Sequence, residues 1–329
     1  MKALVTGATG FLGSAVTRQL LSRQDAVRVL VRPGRDRRNI ADIPVDIVEG
    51  DLRDIDSCRR ALAGIDHLFH VAADYRLWVR DPSEMYATNV DGTVALMRAA
   101  ADAGVSRIVY TSSVATLGIS ADGRPADETT PVALDEMIGP YKRSKFLAEE
   151  AVVRLVRDVG LPIVIVNPSF PIGPRDVRPT PTGRMVIEAA AGRIPAFVDT
   201  ALNVVHVDDV ANGHLLALEH GVIGDRYILG GENLTLETIL GMIASLNGHK
   251  APRIKLPPSM VIPVAYVLEA IATSISRREP LITVTGVKLA KKRMLFSSAK
   301  AEAALGYTAR PARDALVDAV AWFRANGYL

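Results

Sequence analysis

Three glycines at positions 7, 10 and 13, in Thr6-Gly7-Ala8-Thr9-Gly10-Phe11-Leu12-Gly13 directly after the apolar run Ala3-Leu4-Val5, constrain this chain most. The apolar run predicts a buried strand, and the glycine spacing is the one at which a strand turns into a helix around a phosphate. Gly7 allows the tight turn, Gly10 lets backbone approach a pyrophosphate with no Cβ in the way, and Gly13 lets the helix pack close to the sheet. The free N–H groups of the helix start then face the anion. A dinucleotide site is expected on Gly7, Thr9, Gly10, Phe11, Leu12 and Gly13.

Strand-like apolar runs at 27–31, 45–49, 67–71, 107–111 and 162–167 alternate with helix-period segments such as 83–103. That alternation predicts an α/β fold, a doubly wound parallel sheet with helices on both faces. The regularity ends at Asn167-Pro168, where Pro171, Pro174, Pro179 and Pro181 crowd the chain with Gly173 and Gly183. Prolines without ladder donors predict irregular connections there, and the start of a second, smaller region. The chain is expected to rejoin the sheet at 203–207 and to add a strand at 227–229. Residues 1–168 with about 203–229 then make the nucleotide-binding domain, and 169–202 with about 230–329 a discontinuous α/β substrate domain. Ligands of such sheets lie beyond the carboxyl ends of the strands, so the second domain would wall the cleft from above.

A chain of 329 residues with 49% hydrophobic and 23% charged residues suits an ordinary globular protein with a large core. The net charge of +3 is small and its basic residues form no stripe, which argues against a nucleic-acid partner. The single cysteine, Cys58, forms no intramolecular disulfide and is expected to pack. Without a Cys/His cluster at zinc spacing, no metal is expected. The sequence opens on an apolar strand with no basic leader, so a cytoplasmic location is expected. The most apolar later segment, 260–275, contains Pro263 and Glu269 and is shorter than the ~20 residues of a membrane span. A buried or amphipathic helix is expected there, with weak peripheral attachment to a membrane as the lesser alternative.

Tyr141 and Lys145 stand four residues apart at the start of a helical stretch reaching about residue 159, so they project from one face. A phenol of pKa near ~10 is a poor base at neutral pH, and a nearby ammonium stabilises its phenolate. The pair can therefore move a proton, although a surface helix yields the same spacing by chance. Ser113, at the end of the 107–111 strand, can hydrogen-bond a substrate oxygen beside them. At the end of the second strand an acidic residue would bond a ribose 2′-OH, whereas a basic one accommodates a 2′-phosphate. This strand ends in Arg32, and Arg35, Arg37 and Arg38 follow around Gly34. Arg32 is the first candidate for the phosphate, with Arg35 and Arg38 behind it, and NADP(H) is expected over NAD.

The glycine triplet, Asp51-Leu52, His70-Val71-Ala72-Ala73, Asn89-Val90-Asp91-Gly92-Thr93, Thr111-Ser112-Ser113, Tyr141-x-x-x-Lys145, the His206-Val207-Asp208-Asp209 segment and Leu305-Gly306-Tyr307 occur in that order. Together they resemble the extended short-chain dehydrogenase/reductase superfamily, in its NAD-dependent epimerase/dehydratase branch, over nearly the whole chain. The resemblance implies a Rossmann sheet and a catalytic set of Ser113, Tyr141 and Lys145. Hydride would move between nicotinamide C4 and a carbon bearing the substrate oxygen, while Tyr141 exchanges that oxygen's proton. Lys145 would also bind the nicotinamide ribose, Asp51 and Leu52 would meet adenine, and Ala72, Ala73 and Pro168 would line the dinucleotide. Ser112 competes for the serine role. Asn89 is expected to fix backbone, His206 to be structural, and a homodimer to form through the helices at 83–103 and 141–159.

Residues 70–78 and 110–117 look most like hopanoid-associated sugar epimerases, with dihydroflavonol reductase-like enzymes as near neighbours. An epimerase returns its hydride to the same carbon, whereas a reductase consumes NADPH, which Arg32 fits better. The expected substrate is a small carbonyl, alcohol or sugar-type molecule, with Tyr75, Trp78, Ser169 and Phe170 as candidate contacts. No arginine pattern in the second domain clearly marks a sugar-nucleotide diphosphate site, for which Arg184, Arg226 and Arg293 are only possibilities. NADP sensing without chemistry is a further alternative, in proteins that commonly lack the Tyr and Lys pair.

Overall fold

In the computed structural model, which describes residues 1–120, 122–272 and 283–329, the strands in chain order are β1 (Lys2–Thr6), β2 (Ala26–Val31), β3 (Asp46–Glu49), β4 (His67–His70), β5 (Arg107–Thr111), β6 (Ile163–Pro168), β7 (Phe170–Ile172), β8 (Ala196–Val198), β9 (Ala201–His206), β10 (Arg226–Leu229), β11 (Glu232–Thr235) and β12 (Ile254–Leu256). Seven of them form a parallel sheet in the order β10-β6-β5-β4-β1-β2-β3. Val5 of β1 lies between Val29 and Phe69 in register, all three wholly buried, as expected for strands covered on both faces. The order in which the chain adds strands reverses between β1 and β4, which opens a crevice at their carboxyl ends.

One face of the sheet is covered by the helices Phe11–Ser22 and Val207–His220, the other by Ile55–Leu62, Thr93–Asp102 and Gly139–Val159. The Gly139–Val159 helix carries Pro140 in its first turn, where no N–H is missed, and ends on Gly160 at φ 74°. The expected 83–103 helix is interrupted: Ser83–Tyr86 passes through a π-helical stretch, Ala87–Gly92, before continuing at Thr93.

The chain does not rejoin the large sheet at 203–207. Those residues belong to β9, which pairs with β7 in parallel and β11 antiparallel in a separate three-stranded sheet. The free side of β6 is taken by β10, so the return to the large sheet comes at Arg226–Leu229. Helices Pro181–Ala190, Leu236–Leu246 and Ala312–Ala325 bury a second core with this small sheet. The 260–275 segment lies largely in the helix Pro258–Ile271, with residues 273–275 outside the described residues. Among the described residues no helix is long and apolar enough to cross a membrane, and no cluster of metal-ligating side chains occurs. Cys58 is buried, and burial pushes its thiol up to about 11.

Candidate active site

The carboxyl ends of β1, β4, β5 and β6 open into one cleft. Its floor is the glycine turn. Gly7 has φ 77°, and a Cβ there would stand 2.8 Å from the Ala72 amide nitrogen. A Cβ on Gly13 would fall on the Gly7 carbonyl oxygen, so the close approach of helix and strand depends on glycine at both places. Gly10 caps the Phe11–Ser22 helix without offering a side-chain acceptor, which leaves the first N–H groups for a ligand. His70 helps hold this turn: Nδ1 hydrogen-bonds Thr6 Oγ1 at 2.8 Å, Nε2 hydrogen-bonds Thr93 Oγ1 at 2.9 Å, and the Ala72 amide donates to Thr6 Oγ1 at 3.2 Å. A cradle with no room for a Cβ and with uncapped helix donors fits a dinucleotide pyrophosphate.

At the far end Arg32, Arg35, Asp36, Asp51 and Leu52 line the wall. Both acids are already engaged. Arg53 donates to the two oxygens of Asp51 at 3.0 and 2.9 Å, and Arg38 donates to Asp36 Oδ2 at 3.0 and 2.7 Å, holding that carboxyl down to about 2. Arg32 and Arg35 form no ion pair among the described residues, and burial, followed by the charge of Arg35, lowers the pKa of Arg32. Arg38 is turned away on Asp36 and is not on the cleft wall. Arg37 reaches Glu49 instead.

Ser113, Tyr141 and Lys145 come together at the other end, with Ser112 and Thr111 beside them. Lys145 is buried, its ammonium donating to the Thr111 carbonyl at 2.8 Å and to the Tyr110 hydroxyl at 3.2 Å. Burial brings the Lys145 pKa down to about 8, against the opposing charge of Glu149. The Tyr141 phenol departs from the sequence-based expectation. Burial pushes its pKa above the usual value, and the opposing influence is a hydrogen bond with the Ser113 hydroxyl. The ammonium is engaged by Tyr110 and Thr111, and desolvation governs the phenol.

Glu149, one turn beyond Lys145 and buried, anchors the serine loop. Its Oε2 accepts from Thr116 Oγ1 at 2.8 Å and Asn167 Nδ2 at 2.9 Å, while Oε1 accepts from Arg226 at 2.9 Å. Asn167 Nδ2 also lies 3.1 Å from the Ser113 carbonyl oxygen. Sequence reasoning passed over Glu149, although its spacing of four from Lys145 put it on the same helix face. Arg226 is thereby committed to Glu149, and Arg293 stands 3.5 Å from Asp199.

Ala72, Ala73, Tyr75, Pro168 and Ser169 also line the cleft, whereas Trp78 and Phe170 do not reach its wall. The Ser169 hydroxyl is buried with no partner among the described residues. Asn89 accepts from the Asp74 amide at 2.7 Å and donates to the Asp74 carbonyl at 2.9 Å and to Ser144 at 3.0 Å, clamping the loop after β4 to the Tyr141 helix. His206 caps the Val207–His220 helix through the Asp208 amide at 3.0 Å and is wholly buried. Arg178 and Thr180, from the proline-rich connection, complete the rim and were not anticipated.

The chain is similar to known proteins along its whole length. A Synechocystis sp. protein named dihydroflavonol 4-reductase-like is 42% identical over 99% of this chain and 95% of its own. Sterol demethylase protein B of Methylococcus capsulatus is 37% identical over the full length of both. The crystal structure of gox2253 superposes with a TM-score of 0.89 at 55% identity over 99% of each chain. The family model for the NAD dependent epimerase/dehydratase family matches residues 3–230, the span holding the glycine cradle and the Ser, Tyr and Lys residues. With that match over most of its length, the chain belongs to the NAD dependent epimerase/dehydratase family and is an NAD(P)-dependent oxidoreductase or epimerase.

Proposed function

We propose that this protein is an NADPH-dependent carbonyl reductase. The observation that carries this reading is the pair of guanidiniums, Arg32 and Arg35, that line the cleft without a carboxylate partner among the described residues, while Asp36 and Asp51 beside them are neutralised by Arg38 and Arg53. A site left with two free cations favours a phosphate over a ribose diol. Bound NADPH would supply hydride to the carbonyl carbon. Tyr141, kept protonated by burial, donates its proton to the substrate oxygen as negative charge develops there. Ser113 hydrogen-bonds the same oxygen, and Lys145 supplies positive charge on the side where phenolate is left. Ser169, with its unpartnered hydroxyl, and Tyr75 contact the substrate, a small carbonyl compound.

An epimerase would use the same residues and keep its nucleotide; the reductase name of the 42%-identical relative favours net reduction. The test is NADPH consumption across a panel of aldehydes and ketones. Wild-type turnover is expected for at least one of them. No consumption, together with NAD released from the denatured protein, would overturn the reductase reading.

A further inference from the structure

We propose that the helix Pro258–Ile271 docks this protein onto an anionic lipid bilayer. The helix packs inward through Val261, Ile262 and Ala265 against Val284 and Val287. Its opposite face is also apolar: Met260, Pro263, Val264, Val267, Ala270 and Ile271 are exposed at the i, i+3, i+4, i+7 spacing of one continuous stripe. Met260, Val264 and Val267 are 64%, 50% and 60% exposed, so half or more of each stays in water. A helix apolar on all sides belongs in a core or at a lipid interface, and this one is left half in water. Tyr266, 54% exposed at the edge of the stripe, has the apolar ring and polar tip that suit a headgroup boundary.

Charge distinguishes a bilayer from a second copy of the chain. Over residues 250–272 and 283–293, seven Lys and Arg side chains stand against a single acid, Glu269, in a protein whose total charge is only +3. Glu269 is turned inward, accepting the Val284 amide at 2.7 Å at the start of the next helix. Lys255 pairs with Glu237 and Arg293 with Asp199, but Lys250, Arg253, Lys288, Lys291 and Lys292 enter no ion pair among the described residues. A symmetric dimer through this stripe would bring like charges together, whereas an anionic lipid surface attracts each of them. Over its described residues the helix, 14 long, is shorter than a membrane span, and it would lie in the interface. The Val284–Ala290 helix beneath it begins beside Gly139, where a Cβ would meet the Thr285 side chain at 2.8 Å, so the docked pair rests on the start of the helix bearing Tyr141.

Co-sedimentation of the full protein with vesicles of phosphatidylcholine alone and of phosphatidylcholine with phosphatidylglycerol tests the proposal. Binding to the anionic vesicles is expected, weakened by salt, and reduced about tenfold or more in the double variant Val264→Glu, Val267→Glu. The double variant should keep the wild-type melting temperature, because both side chains are exposed. Absence of binding to the anionic vesicles, or undiminished binding of the variant, would overturn the proposal. So would a wild-type dimer in sedimentation velocity that the double variant dissociates, with no vesicle binding, which would assign the stripe to a second copy. The readout needs no substrate or nucleotide, so its failure is separable from failure of the reductase reading.

Discussion

Asn167 gives Glu149 a hydrogen bond of 2.9 Å, and that bond joins the end of β6 to the helix that bears Tyr141 and Lys145. Through Thr116 and the Ser113 carbonyl the same carboxylate governs the loop on which Ser113 sits. Three donors converge on one buried acid, so its removal strands polar groups in the interior rather than only losing a contact.

Glu149→Ala is accordingly expected to cost about 2–4 kcal/mol of stability, and Glu149→Gln less, because the amide still fills the space and accepts one bond. Urea denaturation measures both. A loss under about 1 kcal/mol for the alanine variant would show that the network is dispensable.

Tyr141→Phe removes the proton donor and leaves the ring in place. Turnover should fall by roughly 10²–10⁴-fold, while NADPH affinity measured by fluorescence titration stays within a factor of about two of wild type. Retained turnover would remove Tyr141 from the chemistry.

Gly13→Ala places a methyl group on the Gly7 carbonyl oxygen and must push the helix from the strand. Overpacking of this kind costs about 1–3 kcal/mol. Nucleotide binding should be lost with it, because the pyrophosphate turn moves. Wild-type binding in a folded Gly13→Ala protein would contradict the cradle.

Acid should destabilise the fold through two buried histidines. Burial, with the charge of Lys145 adding, lowers His70 to about 3, and burial lowers His214 to about 4 against the pull of its bond to Val210. Between those values and the ordinary 6.5 the unfolded chain binds protons that the folded one refuses, so stability rises with pH through this window and levels above it. Denaturation midpoints measured from pH 4 to pH 8 should show that slope, and His214→Gln should reduce it. A flat profile would mean that both rings protonate in the folded state.

What local spacing encodes was legible in the sequence. The glycine turn, the parallel strands through β6 and the Tyr141–Lys145 helix each follow from residues within a few positions of one another. What depends on distant partners was not. β9 reads as one more buried strand, and only the occupation of the β6 edge by β10 assigns it to a different sheet. Arg32 and Arg38 are equivalent as letters, and the neighbouring Asp36 that captures Arg38 separates them. Burial of Tyr141 reverses the direction of shift expected from its lysine neighbour. Glu149 matters through Asn167 and Arg226, which lie 18 and 77 residues away in the chain.

Calorimetric titration of NADPH and NADH into wild type and Arg32→Ala tests directly whether Arg32 and Arg35 make this an NADPH site. Wild type should bind NADPH about 10–100-fold more tightly than NADH, as a charge-assisted contact of ~1.5–3 kcal/mol requires, and Arg32→Ala should erase most of that preference. Equal or tighter binding of NADH by the wild-type protein would contradict the claim and return the chain to the self-contained epimerase alternative.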